Sequence, residues 1–248
     1  MAAAVKLHRN VGRRRAARFL AEGPNLVEAA LRRGVVSEVF ATESAAERFG
    51  ALLAGAPVHL VTERAAKALS DTVTPVGLVA VCEVPVGSLD DMLADSPRLV
   101  AVAAQISEPG NAGTLIRIAD AMGAGGVVLA GHSVDPYNAK CLRASAGSIF
   151  SVPVVSEPDA DRAVDVLSAA GLQVLATTVD GELTLDDAES LLGSPTAWLF
   201  GPESQGLPVE LARRAAHRVR IVMPGHAESL NVASAAAICL YQSARAAR

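Results

Sequence analysis

Five polar side chains in three segments of the sequence could take part in chemistry. The segments read EPGNAGTLIR, LFGPESQGLP and MPGHAESLN. The five candidates among their polar residues are Asn111, Arg117, Glu203, Ser229 and Asn231. Amide, hydroxyl, carboxylate and guanidinium groups can orient a polar ligand, stabilise a developing anion or manage a proton. The two glycines of the second segment also allow the backbone to approach a ligand closely.

Each segment also has a purely structural interpretation. Asn111 stands where the N-cap of a helix is expected, and Ser229 and Asn231 are good caps for a second helix. Arg117 falls off the predicted buried stripe of its helix, so it could be a surface charge. That stripe is predicted as Leu115, Ile118, Ala119 and Met122. A nucleotide-dependent dehydrogenase is weakly supported, because the G-x-G-x-x-G fingerprint is missing from the first segment.

The elements that must position these residues follow a regular pattern in the second part of the chain. Nearly continuous apolar runs predict strands at 99–106, 126–131, 152–155, 172–179, 197–200 and 218–223. Helical patterns lie between most of them, at 112–122, 137–144, 159–170, 208–216 and 231–245. This alternation predicts an α/β fold with an open, mostly parallel sheet covered on both faces. The three segments follow strand ends, where such sheets bind ligands.

A polar stretch with Gly and Pro predicts a domain boundary near Leu93, which gives domains at 1–93 and 94–248. Residues 1–33 hold eight basic and two acidic residues, whereas the remainder holds 14 basic and 24 acidic residues. A basic arm on an acidic body suits a polyanionic partner such as RNA, although a solvated, partly disordered tail is the alternative. The arm contains Arg9, Arg13, Arg14, Arg15 and Arg18.

Composition excludes several other classes. No run approaches the roughly 18 uncharged apolar residues of a membrane span, and no apolar region of a signal peptide follows the N-terminal charges. The three cysteines are far apart and no Cys/His cluster has the spacing of a metal site, so we expect reduced thiols, no metal and a cytoplasmic location. Aromatic residues make up only 3% of the chain, which disfavours a base-stacking platform.

Taken together, the three segments resemble the SpoU family of RNA 2′-O-ribose methyltransferases. The likeness rests on NAGTLIRIADAMGA, FGPESQGL and IVMPGHAESLNVASAAAI, and a linking segment, DPYNAKCLRASAGSIFSVPV, also fits. It covers about residues 99–242. The N-terminal segments FLAEGPNLVEAAL and TPVGLVAV are similar to the ribosomal-protein-like substrate-binding domain of members that act on ribosomal RNA.

The resemblance implies a small α/β substrate-binding domain followed by a domain with a C-terminal trefoil knot. It also implies a homodimer that uses S-adenosylmethionine to methylate a ribose 2′-hydroxyl in RNA. Ribosomal RNA, most of all 23S rRNA, is favoured by the extra N-terminal domain. The alternatives are a tRNA 2′-O-methyltransferase and an RNA-binding factor without catalysis.

Residue roles follow from the same resemblance. The catalytic set would be the five polar residues named above: Asn111, Arg117, Glu203, Ser229 and Asn231. The cofactor would contact Thr177, Phe200, Gly201, Gly206, Ile221, Met223 and Leu230, with backbone groups of the last three reading the adenine. RNA would contact Arg9, Arg13, Arg14, Arg15, Arg18, Arg117 and Arg143. Because a guanidinium is a poor base, we expect Arg117 to clamp a phosphate and stabilise the developing alkoxide rather than remove the proton.

Overall fold

The structure is a computed structural model, and it describes residues 1–202 and 205–247. The chain divides into two compact units. The first comprises residues 1–86 and 137–151, and the second comprises residues 87–136 and the described residues from 152 onward. This division differs from the predicted boundary near Leu93, because residues 137–151 pack with the first unit. There the rings of Tyr137 and Phe150 lie 4.6 and 6.1 Å from the ring of Phe19, centroid to centroid.

The helices and strands alternate along most of the described chain. The α-helices are α1 Ala2–Val5, α2 Asn10–Ala16, α3 Pro24–Arg33, α4 Glu43–Arg48, α5 Glu63–Leu69, α6 Leu89–Ala94, α7 Pro109–Ala121, α8 Ala139–Ser145, α9 Ala160–Ala169, α10 Val209–Arg213 and α11 Val232–Ala246. The strands are β1 Arg18–Glu22, β2 Val36–Ala41, β3 Val58–Leu60, β4 Leu78–Glu83, β5 Leu99–Ala104, β6 Gly126–Ala130, β7 Val154–Glu157, β8 Gln173–Thr177, β9 Leu183–Thr184, β10 Thr196–Phe200 and β11 His217–Arg220. Short 3₁₀ helices lie at Lys6–His8, Ser148–Phe150 and Asp187–Leu191.

The first unit is built on a four-stranded sheet of order β1-β4-β2-β3. Strand β4 pairs antiparallel with β1 and β2, and β3 joins β2 in parallel. The basic N-terminal segment is helical, and Ala4 and Leu7 anchor it in the apolar cluster that also contains Leu20 and Phe40. The arm is therefore part of the folded unit, and the alternative of a disordered tail does not apply to it.

The second unit contains a seven-stranded sheet of order β7-β6-β5-β10-β8-β11-β9, and all of its pairs are parallel. Every residue of β5, β6 and β10 is buried. Strands covered on both faces must be apolar throughout, which is why they read as continuous apolar runs in the sequence. The predicted α/β fold with a mostly parallel sheet is confirmed, whereas the two-residue strand β9 was not predicted.

Helix α7 begins earlier than the sequence suggests. Its N-cap is Glu108, whose carboxylate accepts a hydrogen bond from the Gly110 backbone N–H (3.1 Å), and Pro109 occupies the first turn. Proline fits there because it lacks an N–H and its φ is already helical. The prediction of Asn111 as the cap is therefore wrong. The buried face also differs from the prediction, since Ile116 is fully buried while Ile118 is only half-buried.

Helix α11 buries one face and not its whole circumference. Its N-cap is Asn231, as predicted, and the side-chain oxygen accepts hydrogen bonds from the N–H groups of Ala233 and Ser234. Ala236, Cys239 and Leu240 are fully buried, whereas Ile238 and Tyr241 are exposed within the single chain. In the described residues, no helix reaches the length and apolar character that crossing a membrane requires.

The connection from β8 to β9 passes directly against β11. A side chain at Gly181 would have its Cβ atom 2.7 Å from the Arg220 nitrogen and 2.8 Å from the Arg218 carbonyl oxygen. No side chain fits at such distances, so the two backbones meet at this glycine. Two hydrogen bonds from Arg218 to the Glu182 carboxylate, from the backbone N–H (2.8 Å) and from Nε (2.9 Å), hold the connection in place.

Candidate active site

A cavity of about 560 Å³ opens in the second unit where β8, β10 and β11 end. Its walls come from the last residues of these three strands, from the segments that follow them, and from helices α10 and α11. This is the carboxyl edge of the parallel sheet, where backbone groups leave the strand ladder and become available to a ligand. A volume of this size lies within the roughly 300–1,000 Å³ of small-molecule sites in proteins.

The structure brings all of the predicted cofactor residues to this one cavity. Its wall contains Thr177, Phe200, Gly201, Gly206, Ile221, Met223 and Leu230. These residues span more than fifty positions of sequence, and the parallel strand order makes them neighbours. Ser229, from the predicted catalytic set, lies on the same wall.

Two glycines shape the loop that follows β10. A Cβ atom at Gly201 would lie 2.5 Å from the Leu207 nitrogen and 2.7 Å from the Gly206 carbonyl carbon. Gly206 itself has a φ of +66°, a conformation that L side chains rarely adopt. The backbone of Gly201 therefore packs so closely against Gly206 and Leu207 that a side chain at position 201 does not fit. Predicted catalytic residue Glu203 lies outside the described residues.

The loop after β11 runs from Ile221 to Leu230 without regular secondary structure. Within the described chain, its backbone groups make no backbone–backbone hydrogen bonds. Ile221, Met223 and Leu230 line the cavity and have apolar side chains, so only their N–H and C=O groups can make polar contacts with a ligand. This arrangement supports the prediction that the backbone reads a polar heterocycle here.

Asn111 and Asn231 meet although they are 120 positions apart in the sequence. The Asn231 side-chain NH₂ donates to the side-chain oxygen of Asn111 at 3.1 Å. Because the oxygen of Asn231 caps α11, its amide group is held in one orientation, with the NH₂ toward α7. The bond therefore joins the starts of the two helices that carry most of the predicted catalytic set.

Arg117 is exposed on α7, on the same face as the exposed Thr114 and Ala121. Within residues 1–202 and 205–247, its guanidinium forms no hydrogen bond or ion pair. It does not line the cavity, and neither do Asn111 and Asn231. Of the four predicted catalytic residues that the structure describes, Ser229 therefore lies on the cavity wall, and Asn111, Arg117 and Asn231 lie outside it.

The predicted RNA-binding arginines of the first unit do not behave alike. Arg9, Arg14 and Arg15 are exposed on the N-terminal helical segment, and Arg18 is exposed at the start of β1, 3.9 Å from Glu83. These side chains are accessible to a polyanion.

Arg13 requires a correction. It is only 5% exposed, and its Nη1 donates to the carbonyl oxygens of Leu7 (2.9 Å) and His8 (3.0 Å). The guanidinium holds the preceding turn together and is not available to RNA. Arg143, on α8, remains partly exposed and donates from both terminal nitrogens to Asp71 at 3.2 Å.

Comparison with known proteins places the chain in a family. The SpoU rRNA Methylase family matches residues 98–241. The chain belongs to this family, which confirms the resemblance seen in its motifs. A second match, to the MRM3-like substrate binding domain, covers residues 2–80.

Individual relatives are similar over nearly the whole chain. The 23S rRNA (guanosine(2553)-2′-O)-methyltransferase RlmP of Bacillus subtilis is 34% identical over 95% of this chain and 92% of its own. The SpoU methyltransferase AviRb from Streptomyces viridochromogenes, whose crystal structure contains AdoMet, is 30% identical in sequence. Its structure superposes with a TM-score of 0.86 over 98% of this chain and 95% of the AviRb chain. An AdoMet-bound rRNA methyltransferase from Sinorhizobium meliloti is 31% identical, and its structure superposes with a TM-score of 0.85 over 98% of this chain and 93% of its own.

Several cavity residues were not predicted from the sequence. They include Thr178, Asp180, Arg218 and Glu228. Arg218 carries a positive charge at the cavity and is held by Glu182 and Asp180, at 2.9 and 3.7 Å. The hydrogen bonds from Arg218 keep the pKa of Glu182 below its ordinary value of 4.5. Thr178 could have been predicted from its place in the sequence, because it directly follows Thr177 at a strand end. The sequence around Arg218 contains no comparable signal.

Proposed function

We propose that the chain is an S-adenosylmethionine-dependent RNA 2′-O-ribose methyltransferase and that its substrate is 23S ribosomal RNA. The observation that carries this proposal is the gathering of the seven predicted cofactor residues, from segments distant in sequence, on the wall of one cavity. The family match and relatives named as 23S rRNA 2′-O-methyltransferases support the same activity and substrate.

The cavity fits the cofactor in size and in chemistry. Its volume suits a nucleoside with an amino-acid side arm, and the close path at Gly201 lets backbone groups of that loop reach the ligand. Ile221, Met223 and Leu230 offer backbone donors and acceptors beside apolar side chains, which matches a flat heterocycle with a polar edge. When bound, S-adenosylmethionine supplies an activated sulfonium methyl group, so the protein mainly has to align the reacting atoms and manage one proton.

Arg117 is proposed to bind the phosphate next to the target ribose. Its guanidinium is exposed, is not engaged within the described residues and has the planar fork that matches a phosphate. The same charge would stabilise the 2′-oxygen as it loses its proton. With a pKa above about 12, the guanidinium is a poor acceptor for that proton.

The remaining catalytic residues are proposed to orient the ribose and the cofactor. The Asn111–Asn231 hydrogen bond fixes one amide from each helix start at 3.1 Å, and Ser229 presents a hydroxyl on the cavity wall. Glu203 is proposed to fix a loop amide or Asn231.

RNA is proposed to bind first through the exposed arginines Arg9, Arg14, Arg15 and Arg18. The match of residues 2–80 to a substrate-binding domain supports this role. Relatives named as 23S rRNA 2′-O-methyltransferases favour ribosomal RNA over tRNA. We further propose that the protein acts in the cytoplasm, which agrees with its three buried cysteines, none of which forms a disulfide.

A homodimer and a trefoil knot complete the proposal. Ile238 and Tyr241 are 37% and 52% exposed on α11, and a partner subunit would cover this apolar face. The contact of the β8–β9 connection with β11 at Gly181 shows how closely the chain passes itself before the loop that leads to α11. A knot is proposed to be formed in this region, with the slim Ala-rich start of α11 passing through it.

Transfer of a labelled methyl group from S-adenosylmethionine tests the function. The acceptor is ribosomal RNA from a strain that lacks the enzyme, and the modified nucleotide is then mapped. We expect label at one alkali-resistant 2′-O-methylated site in 23S rRNA, and no label in RNA from the parent strain, where that ribose is already methylated. Methylation of tRNA alone would identify the tRNA alternative. Absence of S-adenosylmethionine binding by calorimetry would favour a non-catalytic RNA-binding factor.

A further inference from the structure

Two neighbouring threonines at the end of β8 differ in how their hydroxyl groups are satisfied. The Thr177 hydroxyl donates to the Leu199 carbonyl oxygen at 3.1 Å. The Thr178 hydroxyl oxygen is shielded from solvent and has no hydrogen-bond partner in the part of the chain that the structure describes. Buried polar groups are nearly always paired, because an unpaired group loses its water without replacement. The exception at Thr178 therefore requires an explanation.

The position of Thr178 supplies one. The residue lies on the wall of the cavity that is proposed to hold the cofactor. Its backbone N–H donates to the Val219 carbonyl oxygen at 3.1 Å, which fixes the residue beside the end of β11. Ile221, whose backbone is proposed to read the adenine, follows Val219 by two positions. The unpaired hydroxyl thus belongs to the region proposed for the adenosine part of the cofactor.

We propose that Thr178 is a further cofactor-binding residue, whose hydroxyl forms a hydrogen bond with the adenosine portion of S-adenosylmethionine. The inference rests on the proposed function. A threonine can turn about its Cα–Cβ bond between staggered rotamers, which moves the hydroxyl while the backbone stays fixed. Binding of the cofactor draws the hydroxyl to the cavity side, where it gains the partner that residues 1–202 and 205–247 do not provide.

Calorimetric titration of S-adenosylmethionine and of S-adenosylhomocysteine tests the inference. Thr178→Val keeps the shape of the side chain and removes the hydroxyl, and Thr178→Ser keeps the hydroxyl. We expect the valine variant to bind both ligands about 5- to 15-fold more weakly, as for the loss of one neutral hydrogen bond, and the serine variant to stay within about threefold of wild type. The two ligands differ only in the sulfonium methyl group, so equal losses exclude a contact to that group. An equal loss for 5′-methylthioadenosine, which lacks the amino-acid arm, then places the contact on the adenosine portion.

The melting temperature of the unliganded Thr178→Val variant is a second measurement. If the hydroxyl had a structural role, removing it would lower this temperature. Removing an unpaired buried hydroxyl leaves this temperature unchanged or raises it. The matched control is Thr184→Val on β9, where the hydroxyl donates to the exposed Asp187 carboxylate at 2.6 Å and does not line the cavity. This variant is expected to bind both ligands like wild type.

Three results would overturn the inference. Thr178→Val could bind both ligands like wild type, or it could lose melting temperature without ligand, which would reveal a structural partner. A loss confined to S-adenosylmethionine would place the contact near the sulfonium instead of the adenosine. If wild type itself binds neither ligand, the proposed function fails as well, whereas normal binding by wild type and by Thr178→Val removes only the role of Thr178.

Discussion

The two compact units place their predicted functional residues in different physical settings. In the second unit, seven residues from three loops line one cavity, and glycines and backbone groups shape much of it. In the first unit, the corresponding residues include the exposed Arg9, Arg14 and Arg15 of the N-terminal helical segment and the exposed Arg18 at the start of β1. A fixed cavity favours one ligand of defined shape, whereas exposed charges favour a polyanion and lose strength with salt. We therefore expect cofactor binding and RNA binding to be separable by mutation.

The largest expected effect is at Arg117, which belongs to the second unit but lies outside the cavity. Arg117→Lys keeps the charge and loses the planar fork, so we expect single-turnover methyl transfer to fall about 100-fold. The Kd for S-adenosylmethionine should not change, because the side chain does not line the cavity. Arg213→Lys, at an exposed arginine paired with Glu210, serves as the control. Near-normal turnover in Arg117→Lys would refute the phosphate clamp.

Gly201→Ala should break the cavity while leaving the arginine surface intact. The new Cβ would meet backbone atoms of Gly206 and Leu207 at 2.5–2.9 Å, and backbone cannot yield as a side chain can. We expect the affinity for S-adenosylmethionine to fall at least about tenfold by calorimetry, since one buried contact of this kind costs on the order of 1–3 kcal/mol. Gly193→Ala is the matched control, because nothing lies within 4 Å of its added methyl group.

Replacing Arg9, Arg14 and Arg15 together by glutamine should act on RNA alone. If each arginine neutralises one phosphate, the slope of log affinity against log salt should become shallower by about two units in RNA-binding titrations. Affinity for S-adenosylmethionine should stay at the wild-type value. Arg13→Gln provides the contrast within the same segment, since we expect it to lower the melting temperature through the lost bonds to Leu7 and His8. An unchanged salt slope in the triple variant would remove the arm from RNA binding.

The smallest expected effect is a pH dependence at the β8–β9 connection. Bonds from Arg218 lower the pKa of Glu182 in the folded protein, so the ionised carboxylate stabilises the fold above pH 4.5 and this contribution is lost as the pH falls through the lowered value. Thermal melts of wild type and Glu182→Gln should therefore differ at neutral pH and converge in acid. The difference should be small, because the Glu182 side chain is 44% exposed. If the difference in melting temperature between wild type and Glu182→Gln persists in acid, the charge of Glu182 is not its cause.

Sequence reasoning predicted features that depend on local chemistry or on repeated patterns. The parallel sheet followed from continuous apolar runs, and the cap at Asn231 followed from an amide before an apolar helix. The gathering of the cavity loops at one edge was also predictable, because all parallel strands end on the same side. The motifs that resemble the SpoU family supplied the candidate residues themselves.

Features that depend on contacts distant in sequence were not predictable in this way. Arg13 looks like its neighbours Arg14 and Arg15, and only packing decides that it alone is buried. The placement of residues 137–151 with the first unit depends on ring contacts to Phe19, and no local pattern encodes them. Likewise, the exposed face of α11 arises because one chain covers only part of an apolar helix. The lack of a hydrogen-bond partner for the Thr178 hydroxyl among the described residues could be recognised only from the three-dimensional structure.

The hydrogen bond between Asn111 and Asn231 has a consequence for synthesis of the chain on the ribosome. One amide is made before the middle of the polypeptide, and the other comes 120 positions later, at the start of the last helix. A nascent chain cannot form this bond until Asn231 has left the exit tunnel. The pairing therefore forms late in synthesis, and a product that stops short of α11 would lack it however well its first unit had folded.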